Sequence, residues 1–202
     1  KTITDILTVN LGEPVTLTCL TGYGRPDPII DWYIGTQKRG SGPGLIFIPS
    51  NADHNETIYC QAYNTDPNSI AYSSKPRLSV QVRVTDAVLQ DNNLNITDML
   101  NVTSGLSVTL NCMTGTSRPA ATIMWYIGSK WKGSGTSLTF IPSNADHDEV
   151  IYCQAYNIDP GQLVFSLKPK LFVKVVVTGV GLSNEGTIFF YEGFPQLLQC
   201  TS

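Results

Sequence analysis

Apolar and polar residues alternate along much of this chain. Val15-Thr16-Leu17-Thr18-Cys19 places an apolar side chain at every second position, the period of a half-buried β-strand. Ile30-Asp31-Trp32-Tyr33-Ile34 and Ile58-Tyr59-Cys60-Gln61-Ala62 do the same, and Leu78, Val80, Val82 and Val84 alternate along a further stretch. Between these runs stand Tyr23-Gly24-Arg25-Pro26, Gly40-Ser41-Gly42-Pro43 and Ser50-Asn51-Ala52-Asp53, whose residue types break strands and form turns. No stretch carries a convincing 3.6-residue period. Short strands at intervals of about ten residues predict an all-β sandwich or barrel.

The pattern occurs twice. Cys19, Trp32 and Cys60 recur 93 residues later as Cys112, Trp125 and Cys153. Residues 19–84 align with 112–177 without a gap, and 39 of those 66 positions are identical, which marks a duplication rather than shared architecture alone. A third copy begins near the end of the chain. Gly12, Gly105 and Gly193 each stand seven residues before Cys19, Cys112 and Cys200, and Leu17, Leu110 and Leu198 each stand two before them. Cys200 then reads as the first cysteine of a further unit, which accounts for the odd total of five; a free thiol and an interchain bridge are the alternatives. The expected organisation is one unit over 1–85, a second over 86–177, and the N-terminal strands of a third over 178–202. No Gly/Ser-rich or Pro-rich spacer separates Val84 from Ala87, so the units are expected end to end with limited hinge freedom.

Cysteine, tryptophan 13 residues on, and a second cysteine 41 residues after the first resemble the immunoglobulin superfamily. The resemblance covers residues 1–177, with 178–202 as a further pair of starting strands. It implies tandem β-sandwiches, each with one inter-sheet disulfide: Cys19 with Cys60, and Cys112 with Cys153, the Trp packed against each bridge. The short spacing leaves room for one short extra strand at most between the implied C and E strands, which fits compact constant-type or intermediate-type domains. Arg118-Pro119-Ala120-Ala121-Thr122-Ile123-Met124-Trp125, with Ser137-Leu138-Thr139-Phe140 and Asp146-His147, is similar to the Ig domains of nephrin-like and nectin-like adhesion receptors. One feature departs from the family. The tyrosine corner needs Tyr two residues before the second cysteine, and Ile58 and Ile151 stand there. The turn before that strand must be held otherwise, with Asp53 and Asp146 as candidates because Asp bonds nearby backbone amides.

The implied C–F–G sheet carries the candidate interaction residues. If Trp32 and Cys60 point inward, Tyr33, Tyr59 and Tyr63 share the outer face, repeated as Tyr126, Tyr152 and Tyr156. Tyrosine buries large area at small entropic cost and is enriched at interfaces. Cross-strand aromatic pairing that only stabilises the sheet is the alternative. Gln37-Lys38-Arg39 has become Lys130-Trp131-Lys132 in the second unit. Trp131 is expected in a polar turn between Gly128 and Gly133, where it either contacts a partner or folds back on its own sheet.

Composition narrows the rest. Hydrophobic residues make up 42% and charged residues 14%, a balance that suits a folded core and not disorder. No run of 18 apolar residues exists to span a membrane. A net charge of −3 with no long basic run makes nucleic acid a poor partner. The chain opens on Lys1 without a signal-type apolar stretch, as a mature chain or an excised fragment would. Paired cysteines imply an extracellular location. The sequons Asn55-Glu56-Thr57, Asn95-Ile96-Thr97 and Asn101-Val102-Thr103 agree, with N-linked glycan expected at Asn55, Asn95 and Asn101.

Ser50, Asp53 and His54, repeated as Ser143, Asp146 and His147, supply triad residue types, but three residues within five positions of one turn cannot converge from separate elements as a triad requires. No metal or nucleotide motif occurs, and no cofactor or enzyme activity is expected. The expected work is binding: cell adhesion or surface recognition of a protein partner, including a second copy. A structural stalk or filament and a soluble immune recognition protein are the other readings. Near-identical repeats favour the filament, in which 178–202 would pair with another subunit along an exposed strand edge.

Overall fold

The computed structural model describes residue 3, residues 5–64 and residues 69–176. The expected third unit over 178–202, with Cys200, lies outside the described residues.

The alternating runs form strands. The first repeat holds β1 (Ile6–Asn10), β2 (Val15–Thr18), β3 (Ile29–Ile34), β4 (Gln37–Ser41), β5 (Gly44–Phe47), β6 (Ile58–Tyr63), β7 (Ala71–Tyr72) and β8 (Arg77–Gln81). The second holds β9 (Ala87–Asp91), β10 (Leu94–Asn95), β11 (Met99–Thr103), β12 (Val108–Thr114), β13 (Thr122–Ile127), β14 (Lys130–Ser134), β15 (Ser137–Phe140), β16 (Ile151–Tyr156), β17 (Val164–Phe165) and β18 (Lys170–Lys174).

In each repeat one sheet runs β4-β3-β6-β7 or β14-β13-β16-β17, all antiparallel. The strand after it pairs in parallel with the repeat's early strand, β8 with β1 and β18 with β11. The opposing sheet differs between repeats. In the second it is β10-β9-β12-β15; in the first, among the described residues, it is β2-β5 alone.

The period of two sends alternate side chains into the space between the sheets. Ile30, Trp32, Ile34, Ile58 and Cys60 meet Cys19, Leu45 and Phe47 in the first core. Ile123, Trp125, Ile127, Ile151 and Cys153 meet Leu110, Cys112 and Leu138 in the second. The bridges are Cys19–Cys60 and Cys112–Cys153, each with a Cα–Cα separation of 6.3 Å. Each buried indole N–H finds a carbonyl across the sheet: Trp32 donates to Gly42 at 3.0 Å and Trp125 to Gly135 at 2.9 Å.

The turn that lacks a tyrosine corner is held by three other residues. A 3-10 turn covers Asn51–Asp53. The Asp53 carboxylate accepts the Ser50 N–H at 2.8 Å and the Ser50 hydroxyl at 2.6 Å, and pairs with Arg39 at 2.5 Å. His54 Nδ1 accepts the backbone N–H of Val80 at 3.1 Å, tying the turn to β8. Asp146 and His147 repeat this against Ser143 and Val173. These bonds also show what the Ser-Asp-His types are doing: each side chain is committed to backbone or to the turn. Ile58 and Ile151, in the tyrosine's place, are 2% and 0% exposed.

The alternation Leu78, Val80, Val82, Val84 serves two masters. Leu78 and Val80 are fully buried in the first core, and β8 ends at Gln81. Val82 then exchanges backbone bonds with Arg118 at 2.8 and 2.9 Å, and Val84 is buried among the second repeat's core residues. Arg118 Nη1 donates to the Val80 carbonyl at 3.0 Å. Asn157 donates to the Val82 carbonyl at 2.7 Å and accepts the Val84 N–H at 3.2 Å. Two side chains of the second repeat therefore grip the strand that leaves the first.

Candidate interaction faces

β3 and β6 pair residue for residue, with Trp32 opposite Cys60 and Tyr33 opposite Tyr59. The inward pair fixes the outward one. Tyr33 and Tyr59 stack with centroids 5.4 Å apart and planes 11° from parallel, and Tyr72 on β7 continues the row at 6.1 Å. The Lys75 ammonium lies 4.3 Å from the Tyr59 centroid and 4.5 Å from that of Tyr72. The second repeat builds the same ladder from Tyr126, Tyr152 and Phe165, capped by Lys168. Gln61 donates to the Tyr33 hydroxyl and Gln154 to that of Tyr126, both at 3.3 Å.

Beside the ladder the two faces part. On the first, Asp31 is 4% exposed and bound by Lys38 at 2.8 Å and by the Ser41 hydroxyl at 2.7 Å. The Lys38 bond, against the opposing pull of burial, holds the Asp31 carboxyl below its usual range, with Ser41 and Tyr63 adding to it. The same bond raises the Lys38 ammonium. On the second, Met124 stands where Asp31 does and Trp131 where Lys38 does, while Ser134 and Tyr156 repeat Ser41 and Tyr63. An ion pair has been exchanged for an apolar pair. The sequence expectation placed Trp131 in a turn; it lies instead within β14, opposite Tyr126, as Lys38 lies opposite Tyr33. The turn residues Gly35 and Gly128, at φ 58° and 57°, come three residues earlier and leave the Trp position on the strand. Strand pairing does not hide it: Trp131 is 61% exposed.

The exchange was legible in the repeat alignment as two coupled changes, Asp31 to Met124 and Lys38 to Trp131. Single-residue reading missed it because Asp31 looked like an ordinary outward polar position. A further exchange lies at the edge of the face. Arg39, paired with buried Asp53, becomes Lys132, 3.8 Å from Asp146. Burial pushes the Asp146 carboxyl up, and the backbone and hydroxyl bonds from Ser143 outweigh it, so the net direction is down.

Asn55, Asn95 and Asn101 are all exposed. Asn55 sits in the left-handed region at φ 68°, a conformation its type tolerates, and Asp148 repeats it at φ 61°. Among the described residues, no cluster of three or more His, Cys, Asp or Glu could hold a metal ion. No described helix is long and apolar enough to cross a membrane.

No family model matches the sequence. Among solved structures, the first two domains of Rst superpose with a TM-score of 0.63 at 18% identity, covering 85% of this chain and 96% of that one. Both repeats have the immunoglobulin-like fold. The Sidekick-1 immunoglobulin domains 1–5 superpose at a TM-score of 0.51 and 17% identity, over 86% of this chain and 37% of theirs. In sequence, rat (Rattus norvegicus) nephrin is 23% identical over 175 residues, 74% of this chain. Mouse (Mus musculus) nephrin is 24% identical over 133 residues, 60% of this chain. The chain spans 13% and 10% of the length of those two nephrins. The likeness is to nephrin in sequence and to tandem immunoglobulin domains in structure.

Proposed function

We propose that this chain is a recognition module of an extracellular, adhesion-type immunoglobulin protein, and that its binding face is the outer surface of β14-β13-β16-β17. The observation that carries this reading is the exchange of the Asp31–Lys38 pair for Met124 and a Trp131 that stays 61% exposed beside a tyrosine ladder. A surface tryptophan flanked by Lys130 and Lys132, next to Tyr126 and Tyr152, has the composition of a binding hot spot. The first repeat offers the matching but more polar face through Tyr33 and Tyr63. The partner is a protein, with a second copy of this chain the first to test. Two disulfides fit an oxidising compartment. Glycans at Asn55, Asn95 and Asn101 would leave the second face open, since none of the three lies on its four strands. The proposed division is 1–85 and 86–177, with 178–202 opening a third domain.

Sedimentation equilibrium across a concentration series tests this. Trp131→Ala with Tyr126→Ala should weaken self-association, or binding of a captured protein partner, by at least about tenfold. Tyr33→Ala with Tyr63→Ala should weaken it less. The opposite ranking would move the binding face to the first repeat, and no effect from either pair would remove the face from the function.

A second reading, a stalk or filament of repeats, is favoured by the backbone and side-chain bonds that Arg118 and Asn157 make across the junction.

A further inference from the structure

Asn101 and Phe172 stand directly opposite each other in the parallel ladder of β11 and β18. Both point away from the core, since Leu100, Val102, Leu171 and Val173 on either side of them are buried in it. Asn101 opens the sequon Asn101-Val102-Thr103, and Phe172 is 41% exposed. Neighbouring strands lie about 4.8 Å apart, so the asparagine side chain runs beside the ring. His147 meets that ring from the turn, with centroids 5.2 Å apart and planes 60° apart, and is itself tied to the Val173 amide at 3.1 Å. An exposed aromatic ring is thereby held in place next to a glycan acceptor.

The first repeat shows that the two residues come as a pair. Its ladder has the same register, with Thr8 opposite Ser79. The shift of 93 carries Thr8 to Asn101, Asn10 to Thr103 and Ser79 to Phe172. Acceptor, sequon hydroxyl and ring therefore distinguish the second repeat together. The reverse exchange occurs on the turn. Asn55, the acceptor of the first repeat's sequon, donates its backbone N–H to Leu78 at 2.8 Å, next to Ser79. Asp148 repeats that bond to Leu171 at 2.9 Å, next to Phe172, but opens no sequon. Each repeat has a sequon beside the same point of its last strand. In the first it comes from the turn, and in the second from the neighbouring strand, where a ring stands opposite. The face of an aromatic ring is negative. One face of a β-linked N-acetylglucosamine carries axial C–H bonds that are apolar and slightly positive, and the two faces are complementary.

We propose that Asn101 carries an N-linked glycan whose first N-acetylglucosamine packs on Phe172 as a fixed part of the second repeat's surface. The inference rests on the extracellular placement proposed above. The Asn101 side-chain nitrogen displaces the diphosphate of a polyprenyl-diphosphate oligosaccharide. An N–C bond forms at the anomeric carbon, the C–O bond to the diphosphate breaks and takes its electron pair, and the nitrogen gives one proton to a base of the transferase. The attached sugar covers the ring and joins β11 to β18 outside the backbone ladder.

The test uses the chain secreted from eukaryotic cells. Peptide mass mapping should find Asn101 occupied. Asn55→Asp with Asn95→Gln then leaves one sequon, whose glycan is trimmed enzymatically to a single isotope-labelled N-acetylglucosamine. In NMR spectra the ring current of Phe172 should move the axial sugar protons upfield of their positions in the free glycopeptide. Phe172→Ser, the residue the first repeat carries there, should return them to those positions, and Phe172→Tyr should keep the shift. Circular dichroism checks that both variants fold. Removing the sugar should speed hydrogen exchange along β11 and β18 about fivefold in the parent, the strength of an ordinary aromatic stack, and leave it unchanged in Phe172→Ser. Sugar protons at their free positions in the parent, or a shift that survives Phe172→Ser, would overturn the proposal. Self-association lost with Phe172→Ser while the sugar protons stay put would overturn it in favour of a protein on the ring. An empty Asn101 beside an occupied Asn55 would overturn it and leave the extracellular placement standing, whereas three empty sequons would remove the glycans of that reading as well.

Discussion

The two repeats share most of their residues and their core, yet they spend one pair of surface positions in opposite ways. The first repeat places Asp31 and Lys38 beside its tyrosine ladder and closes them into an ion pair whose carboxylate is buried and whose ammonium is half exposed. The second places Met124 and Trp131 on the same spots and leaves the indole in water. A duplicated fold holds its inward positions because packing tolerates little change. Its outward positions drift, and the outward positions that change together are where the two copies have taken different work.

The largest expected effect breaks the shared core. Both disulfides span 41 residues, so chain entropy alone assigns each about 4 kcal/mol. Paired Cys→Ala changes in either repeat, followed by chemical denaturation, test this. Equal losses mean the bridges act through the unfolded chain. A smaller loss at Cys19 and Cys60 would trace to the looser packing around Cys19, 8% exposed against 1% for Cys112.

Next is the turn. Asp53→Ala removes the acceptor of two Ser50 bonds and strands Arg39, and should cost about 2–3 kcal/mol. Asp146→Ala loses the same Ser143 bonds but only a 3.8 Å contact to Lys132, and should cost about 1–2 kcal/mol. Thermal melts of the two variants check the ranking.

The face can be exchanged outright. Met124→Asp with Trp131→Lys should change stability by no more than about 1 kcal/mol, since partly exposed ion pairs are weak, while abolishing the binding proposed for the second repeat. Asp31→Met with Lys38→Trp should confer binding on the first. Stability curves beside binding titrations separate packing from recognition.

The smallest effect is in acid. Asp31 is held below its unfolded value of 3.8, so its contribution is complete above that value and is lost as pH falls through the lower folded one. Asp146 in the second repeat shares the direction. The Asp31 contribution has no counterpart at Met124. Asp31→Asn should therefore flatten the acid limb of the first repeat's stability curve and leave the second unchanged, as urea titrations below pH 5 would show.

Much of this was legible in the chain. The period of two named the strands, and the recurrence of Cys-Trp-Cys named the sandwich and its bridges. Parity alone placed Tyr33 and Tyr59 outward, because Trp32 and Cys60 had to be inward. Other features needed three dimensions. That His54 reaches the Val80 amide depends on the turn lying against β8, which no spacing reveals. Val84 continues an alternation begun in the first repeat but is buried in the second, because a pattern of period two does not say which core it enters. Trp131 looked like a turn residue because two glycines bracket it, yet the turn is completed before it.

The parallel pairing of β1 with β8 has a mechanical consequence. Five residue pairs, from Ile6–Arg77 to Asn10–Gln81, join an early strand of the first repeat to the strand by which the chain leaves it. Because the two run in the same direction, tension applied through the chain pulls them past each other along their length. The bonds of the ladder are then loaded together in shear, not peeled open singly. In the second repeat β11 and β18 pair in parallel over another five pairs, behind β9, by which the chain enters that repeat. A tethered chain stretched between two surfaces would meet its main resistance at these two ladders, and would extend in two steps as each gives way.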